Sequence, residues 1–454
     1  MHRVKFNHDM ICPSRTTAVE IVRRLQTAGF SAFWVGGCVR DLLLGREPQD
    51  YDIATSALPE QVEKLFKRTV AVGRKFGVMV VVESSRQFQV ATFRAEADYQ
   101  DGRRPTKVLF SNAEADAQRR DFTVNGLFYD PLTKQLHDWV GGKKDLEAKI
   151  IRTIGSPEER FAEDHLRLLR AVRFAAQLDF EIEPQTFAAV RALAPKIERI
   201  SAERIRDELL KLFAPPHAAR GLVLLRDSGL LPGVLPELTA TIACEQSPDF
   251  HPEGTVFEHI RLMLEKLPPG APPSLPWAVI LHDIAKPATA ERDPATGKIH
   301  FYGHEKVGAS LAEQILIRLR FPKKQTEEIA ACVRHHMQFK DVKQMRRATL
   351  RRLLMRETFS LELELHRLDC LGSHGDLDLY EFLVEQAAEL KKQPAIRPPL
   401  LTGTDLIKLG MQPGPAMGAL LAEIRERQLQ DELKTPHGAK AWAKQQMENR
   451  KPES

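Results

Sequence analysis

Cysteine is scarce in this chain: five in 454 residues, at Cys12, Cys38, Cys244, Cys332 and Cys370. They lie far apart with no CxxC spacing, which argues against a disulfide framework or a zinc ribbon and fits a reducing compartment, the cytoplasm. No apolar run approaches membrane-spanning length. The N-terminal stretch MHRVKFNHDMICPSRTT has no hydrophobic signal core. Low-complexity segments and short-period repeats are absent. Neither sign of charge dominates: 66 Lys and Arg against 61 Asp and Glu leave +5, and the pI is near 8.8. That balance permits nucleic-acid binding without requiring it. Hydrophobic residues at 43% and charged residues at 28% describe a soluble globular protein. The length allows about two to four domains.

What is present centres on Phe33–Thr55, FWVGGCVRDLLLGREPQDYDIAT. Phe33–Val35 reads as a strand ending at Gly36-Gly37, where a tight turn would present bare N–H groups to an anion. Arg40 lies near the start of a helix expected over Val39–Leu44, and both features favour phosphate. Gly45 and Pro48 stop that helix. Asp50-Tyr51-Asp52-Ile53 reads as the next strand, with Asp50 and Asp52 on one face. Two adjacent carboxylates repel unless a cation lies between them, and Mg²⁺ suits such an oxygen-rich pair.

A phosphate turn and an acid pair in strand–turn–helix–strand order resemble the signature of the class II template-independent nucleotidyltransferases, GGxVRDxLLGxxxxDxDIAT. That family includes CCA-adding enzymes, A-adding and CC-adding enzymes, and bacterial poly(A) polymerases. The resemblance implies that Asp50 and Asp52 are catalytic Mg²⁺ ligands. It also implies that Gly36, Gly37 and Arg40 cradle the nucleotide phosphates. A third metal carboxylate found in many relatives would fall on Gln89, a neutral amide here. The segment Ala95–Lys107 is polar and aperiodic, and Arg103-Arg104-Pro105 within it resembles a loop that accommodates ATP. QRRDFTVNGL resembles the RRDFTxN motif, so Arg120 would touch the nucleotide while Asp121 and Asn125 hold the site in shape.

The stretch PEERFAEDHLRLLRAVRFAAQLDF has a helical apolar stripe at Leu166, Leu169, Val172 and Ala176, which predicts a helix over Pro157–Phe180. Asp164 and Arg167 are three apart and would share a face. EDHLR resembles the family's EDxxR motif, whose Asp and Arg act as a protein template for the incoming base. Cytosine and adenine each place an amino donor beside a ring-nitrogen acceptor, matching a carboxylate and a guanidinium. Arg170 and Arg173 turn away from Asp164 and are expected on phosphate or in structural contacts.

Farther on, His259, His282-Asp283, His304, His335-His336 and Asp369 follow one another in helical context. This order resembles the HD phosphohydrolase superfamily. The resemblance implies a metal site of His259, His282, Asp283, His304, His335 and Asp369, suited to Mn²⁺, Ni²⁺, Fe²⁺ or Zn²⁺. In the tail, Thr404 is expected to cap a short helix over Asp405–Leu409.

The expected fold class is α+β: a small mixed-sheet nucleotidyltransferase palm over 1–155, an all-helical RNA-binding neck over 156–248, a helical HD domain over 249–394 and a helical tail over 395–454. The implied activity is addition of CCA, or its terminal A, to tRNA from CTP and ATP. A poly(A) polymerase remains open, as does a phosphohydrolase whose N-terminal half only binds RNA.

Overall fold

Period-two alternation builds the N-terminal sheet. In β2 (Ala32–Val35), Val35 packs on one face with Ala54, Phe93, Ala117 and Phe128, and Phe33 joins them. Trp34 points the other way, 4.7 Å from the ring of Tyr51 and 5.9 Å from that of Tyr129. Both faces are therefore apolar, and each needs a cover. Helix Pro13–Thr27 buries Ala18, Ile21, Val22 and Leu25, the one-sided spacing of an amphipathic helix, and packs on β2. Ala117 of helix Ala113–Gln118 lies in the cluster on the other face.

The computed structural model describes residues 2–3, 13–95, 109–247, 251–392 and 399–449. Its sheet uses β1 (His2–Arg3), β2, β3 (Ile53–Thr55), β4 (Thr69–Gly73), β5 (Val78–Glu83) and β6 (Arg86–Thr92). A small pair, β7 (Arg94–Ala95) and β8 (Leu109–Phe110), stands apart, and β9 (Phe128–Asp130) and β10 (Gln135–His137) complete the sheet. The order is β1-β10-β9-β2-β3-β6-β5-β4. Only β3 and β6 run parallel, with Ile53 opposite Val90. The fold is α+β as expected, with the strands near 69, 78 and 88 present and β9 and β10 added.

Two compact units make up the chain, Met1–Thr239 and Ala240–Ser454. The rest of the first unit is mostly helical, apart from a parallel pair of Ile150–Ile151 with Glu181–Ile182. That pair departs from the all-helical expectation for the neck. In the second unit, helix Ser274–Leu281 is buried along its whole length. Helices Val256–Glu265, Lys323–His335 and Phe359–Gly372 pack against it. The tail has its own core of Leu406, Met417, Leu420, Ile424, Ala439 and Ala443. Its first helix, Gly403–Lys408, is capped by Thr402 and not by Thr404. Asp405 answers the Thr402 N–H, and only that three-residue spacing closes the reciprocal box. Lys391 and Lys392, expected in a linker, end helix Asp378–Lys392.

One close approach fixes the head. A Cβ on Gly142 would lie 2.1 Å from the Thr123 carbonyl oxygen. Gly142→Ala must therefore displace the turn that carries Asn125. We expect a loss of about 3 kcal/mol from the N-terminal unit, as overpacking against backbone implies. Calorimetric melting of the purified variant checks it. An unchanged first transition would contradict this packing.

Candidate nucleotidyl-transfer site and histidine–aspartate centre

The turn after β2 needs its first glycine twice over. Gly36 has φ +72°, and a Cβ there would meet Arg120 Nη1 at 3.0 Å. Its N–H donates to Leu127 O at 3.2 Å. That amide extends the ladder between β2 and β9, so it is not the bare anion donor expected. Gly37 begins the seven-residue helix Gly37–Leu43.

Asp50 and Asp52 lead into β3 and do not lie within it, but they alternate as a strand would: both are exposed, while Tyr51 and Ile53 are buried. The Asp52 carboxyl is pushed up by desolvation in its recess, pulled down by Arg120 and raised again by the Asp50 charge. Stepping the β3–β6 register back one residue sets Gln89 beside Asp52. No third carboxylate joins the pair within ligand distance among the described residues. Two repelling acids facing solvent beside a neutral amide fit a hard divalent cation with water and phosphate oxygens completing its shell.

Arg120 faces this pair. Its Nη2 donates to buried Asp116 at 3.0 Å, its guanidinium lies 5.0 Å from the Phe128 ring, and its buried Nε has no hydrogen-bond partner. Asp116 stays ionised despite burial because Arg120 and Arg119 hold its pKa down. Nothing in the sequence singled it out.

A polar chain runs from the turn into the neck. Arg40 donates from Nε to Asp41 at 2.9 Å and from Nη1 to Asn125 at 2.8 Å. Asn125 donates to Asp121 at 3.2 Å, and Asp121 takes Arg170 Nε and Nη2 at 2.9 and 2.6 Å. Although buried, Asp121 is held far below the usual carboxylate range by Arg170. Arg170 and Arg173 both reach Glu208. Asp121 and Asn125 therefore tie the turn to the helix that carries Arg170. Arg173 is buried and stacked 3.9 Å over Phe174, which makes it a structural contact and removes it from the nucleotide set.

The helix expected over Pro157–Phe180 is broken. Pro157–Glu163 ends at Asp164, whose φ of −151° is extended, and Leu166–Leu178 follows. Asp164 sits in the break, where its carboxylate accepts the Leu166 N–H at 3.1 Å. It also takes both Nη atoms of Arg204, at 3.1 and 2.7 Å. Arg167 donates to Arg160 O at 2.9 Å and pairs with Glu163. Sequence reading missed Arg204 and Glu208, although two inward-facing charges four apart on an amphipathic helix were the available signal. The expected loop Arg103-Arg104-Pro105 lies outside the described residues.

In the second unit, helix ends and faces converge on Asp283. His282 Nε2 is 3.1 Å from Asp283 Oδ2, and His304 Nε2 and His336 Nε2 are 3.3 and 3.7 Å from Oδ1. His259 Nε2 lies 3.0 Å from Asp369. It is His336 that joins, not His335. Buried Ile329, Cys332, Val333 and His336 form one helical stripe, and the neighbouring residue turns about 100° away. His335 lies 3.0 Å from Glu362 instead. Nδ1 of His282, His304 and His336 donates to the carbonyls of Val279, Phe301 and Val333 at 2.8, 2.6 and 2.7 Å. That leaves each Nε2 to act as the acceptor.

His304 Nε2 and His336 Nε2 are 3.1 Å apart, close enough for a proton or a shared metal ion to bridge the two lone pairs. Burial pushes His336 down to about 3, so it is neutral, the ligand form. Burial opposes charge on His259 too, but Asp369 and Glu253 outweigh it and raise it to about 9. His259 Nε2, His282 Nε2 and Asp283 Oδ1 are buried without an aligned hydrogen bond. Such orphaned atoms, with imidazole and carboxylate donors, fit a bound transition metal.

Known proteins resemble this chain in sequence and in fold. The family description "Poly A polymerase head domain" matches residues 32–152, "Probable RNA and SrmB- binding site of polymerase A" matches 179–242, and "HD domain" matches 254–371. The A-adding tRNA nucleotidyltransferase of Deinococcus radiodurans is 36% identical over 424 residues, covering 90% of this chain and 94% of that one. The chain belongs to the class II nucleotidyltransferase and poly(A) polymerase family. Another member, the CCA-adding enzyme of Geobacillus kaustophilus, is 46% identical over 231 residues, 51% of this chain. That match spans 57% of the Geobacillus protein, so the chain aligns with little more than half of that relative. A solved CCA-adding enzyme of Bacillus stearothermophilus in complex with CTP superimposes with TM-score 0.72 at 28% identity, over 97% of this chain and 99% of that one. The Thermotoga maritima CCA-adding enzyme complexed with tRNA shares the fold, with TM-score 0.58 at 19% identity. Membership in this family implies a divalent metal. No helix among the described residues is long and apolar enough to cross a membrane.

Proposed function

We propose that this protein extends the 3′ end of tRNA, adding CCA or its terminal A from CTP and ATP and releasing pyrophosphate. The observation that carries the reading is the acid pair Asp50 and Asp52 facing Arg120 beside the Gly36 turn. Asp50 and Asp52 would hold Mg²⁺, which when bound lowers the attacking hydroxyl's pKa and neutralises the leaving group. Arg120, with an unpartnered Nε, and Arg40 supply cationic contacts for the triphosphate. Asp164 accepts from the amino group of cytosine or adenine, and Arg167 donates to the ring nitrogen. Uracil and guanine turn a carbonyl toward the carboxylate and are rejected.

Asp164→Ala should accordingly lose rate and also discrimination against UTP and GTP, by about ten- to a hundredfold in relative kcat/KM, since an unmatched polar pair costs about 1–3 kcal/mol. Unchanged discrimination would remove Asp164 from base reading. The end-to-end similarity to an A-adding enzyme favours a second reading, addition of A alone. Purified protein given tRNA lacking three, two or one terminal nucleotides, with CTP and ATP supplied separately, decides between them. Incorporation of A only, and only on tRNA lacking one nucleotide, would assign A addition.

For the second unit we propose a metal-dependent phosphohydrolase. His259, His282, Asp283 and Asp369 would hold one ion, and Asp283, His304 and His336 a second. A transition metal so bound would activate water toward a phosphoester. The proposed substrates are 2′,3′-cyclic phosphates and 3′-phosphates at RNA ends, whose removal regenerates the hydroxyl that nucleotidyl transfer requires.

A further inference from the structure

Three of the four imidazoles at the histidine–aspartate centre are oriented by backbone carbonyls. His259 is the exception. Its Nδ1 lies 2.7 Å from Glu253 Oε1, in ion-pair range but without an aligned hydrogen bond, and the same oxygen accepts from His251 Nδ1 at 2.9 Å. The His251 and His259 rings meet edge to face, with centroids 4.9 Å apart. The Glu253 side chain is only 6% exposed, and its Oε2 is buried without a hydrogen-bond partner. A buried carboxylate that rests on two imidazoles is costly if both rings are neutral. It is stabilised if one ring carries charge, whether from a proton or from an ion on its far nitrogen. Residues 251 and 253 lie just ahead of the HD-domain match, which begins at residue 254. The same segment supplies Gln246, which accepts from Lys286 Nζ at 2.7 Å, and Lys286 in turn pairs with Asp283 at 2.7 Å.

We infer that Glu253, backed by His251, is a positioning residue that fixes His259 as a metal ligand from outside the segment matched as an HD domain. The inference rests on the proposed metal centre. A carboxylate behind a ligating imidazole holds the ring in place and strengthens its donation to the ion, and losing such a partner typically weakens metal binding ten- to a hundredfold. The position built on His259 is affected, while that of His304 and His336, oriented by carbonyls, is not.

The test is Co²⁺ titration of the full chain, read by metal content after dialysis and by visible absorption of the bound ion. Wild type should bind two equivalents, His304→Ala one, and Glu253→Gln in the His304→Ala background should bind that one ten- to a hundredfold more weakly with an altered spectrum. Glu253→Gln with His304 intact should keep one equivalent at wild-type affinity and retain nucleotide addition by the N-terminal unit. Wild-type affinity for both equivalents in Glu253→Gln would overturn the positioning role while leaving the metal centre standing. Wild type that binds no ion would overturn both. If Glu253→Gln does not fold, Glu253→Asp decides, because it keeps the charge but withdraws it from His259: weakened binding at one position supports the inference, and unchanged binding overturns it.

Discussion

Asp52→Asn should abolish incorporation of both C and A, with a fall of about a thousandfold or more in kcat and a much smaller change in nucleotide binding. The reasoning is electrostatic. Asp50 and Asp52 repel each other, and Asn removes the charge that draws a divalent ion to the α-phosphate without changing the side-chain shape. Charge stabilisation by a bound metal contributes several kcal/mol to the transition state, and each 1.4 kcal/mol is about a factor of ten. Binding should suffer less, because Arg40, Arg120 and the base-reading residues remain. Single-turnover assays with CTP and with ATP, alongside equilibrium nucleotide binding, give the comparison. Asp50→Asn should behave alike. Among the described residues no third acid joins the pair, with Gln89 at the flanking register, which sharpens the expectation. Near-normal turnover by either variant would show that the acid pair is not the catalytic centre.

The second large effect is expected from Asp283→Ala. Asp283 is the one carboxylate common to both proposed metal positions, so its loss removes a ligand from each. It also strips Lys286 of its ion-pair partner, leaving a buried ammonium. Metal content should drop from two equivalents to none, and hydrolysis of bis-p-nitrophenyl phosphate and 2′,3′-cyclic AMP should fall to background with Mn²⁺, Ni²⁺ or Mg²⁺. Nucleotide addition should survive, because every residue assigned to it lies before residue 210 in the first compact unit. Wild-type protein that holds no metal and hydrolyses neither compound with any ion would reduce the second unit to a scaffold.

Much of this site was legible because its signals are local. The turn at Gly36, the acid pair at Asp50 and Asp52, and the motifs at Arg120 and Asp164 each lie within a few residues, so the family resemblance could be read from short stretches and implied their chemistry. Expectations failed where a residue's role depends on a partner distant in sequence. The Gly36 amide was expected to face an anion, but the Leu127 carbonyl just before β9, more than ninety residues on, takes it. Arg173 was expected on phosphate or in a structural contact, and its pairing with the buried carboxylate of Glu208 is the structural one. His335 was chosen over His336, although the apolar stripe at Ile329, Cys332 and Val333 already pointed to the second histidine.

Short-range pattern and the family resemblance it carries determined the α+β class and the kinds of ligand atoms available, because side-chain periodicity and motif chemistry are properties of the chain. Only the tertiary structure decided which of those atoms meet. It broke the helix at Asp164 so that Arg204 grips the carboxylate, set Gln89 beside Asp52 through a parallel strand register, and brought Glu253 against the far nitrogen of His259. These pairings join residues up to about forty positions apart, and burial excludes the water that would otherwise solvate each charge. A desolvated charge must find a partner within hydrogen-bond reach, and which partner that is follows from packing, not from neighbourhood in the chain.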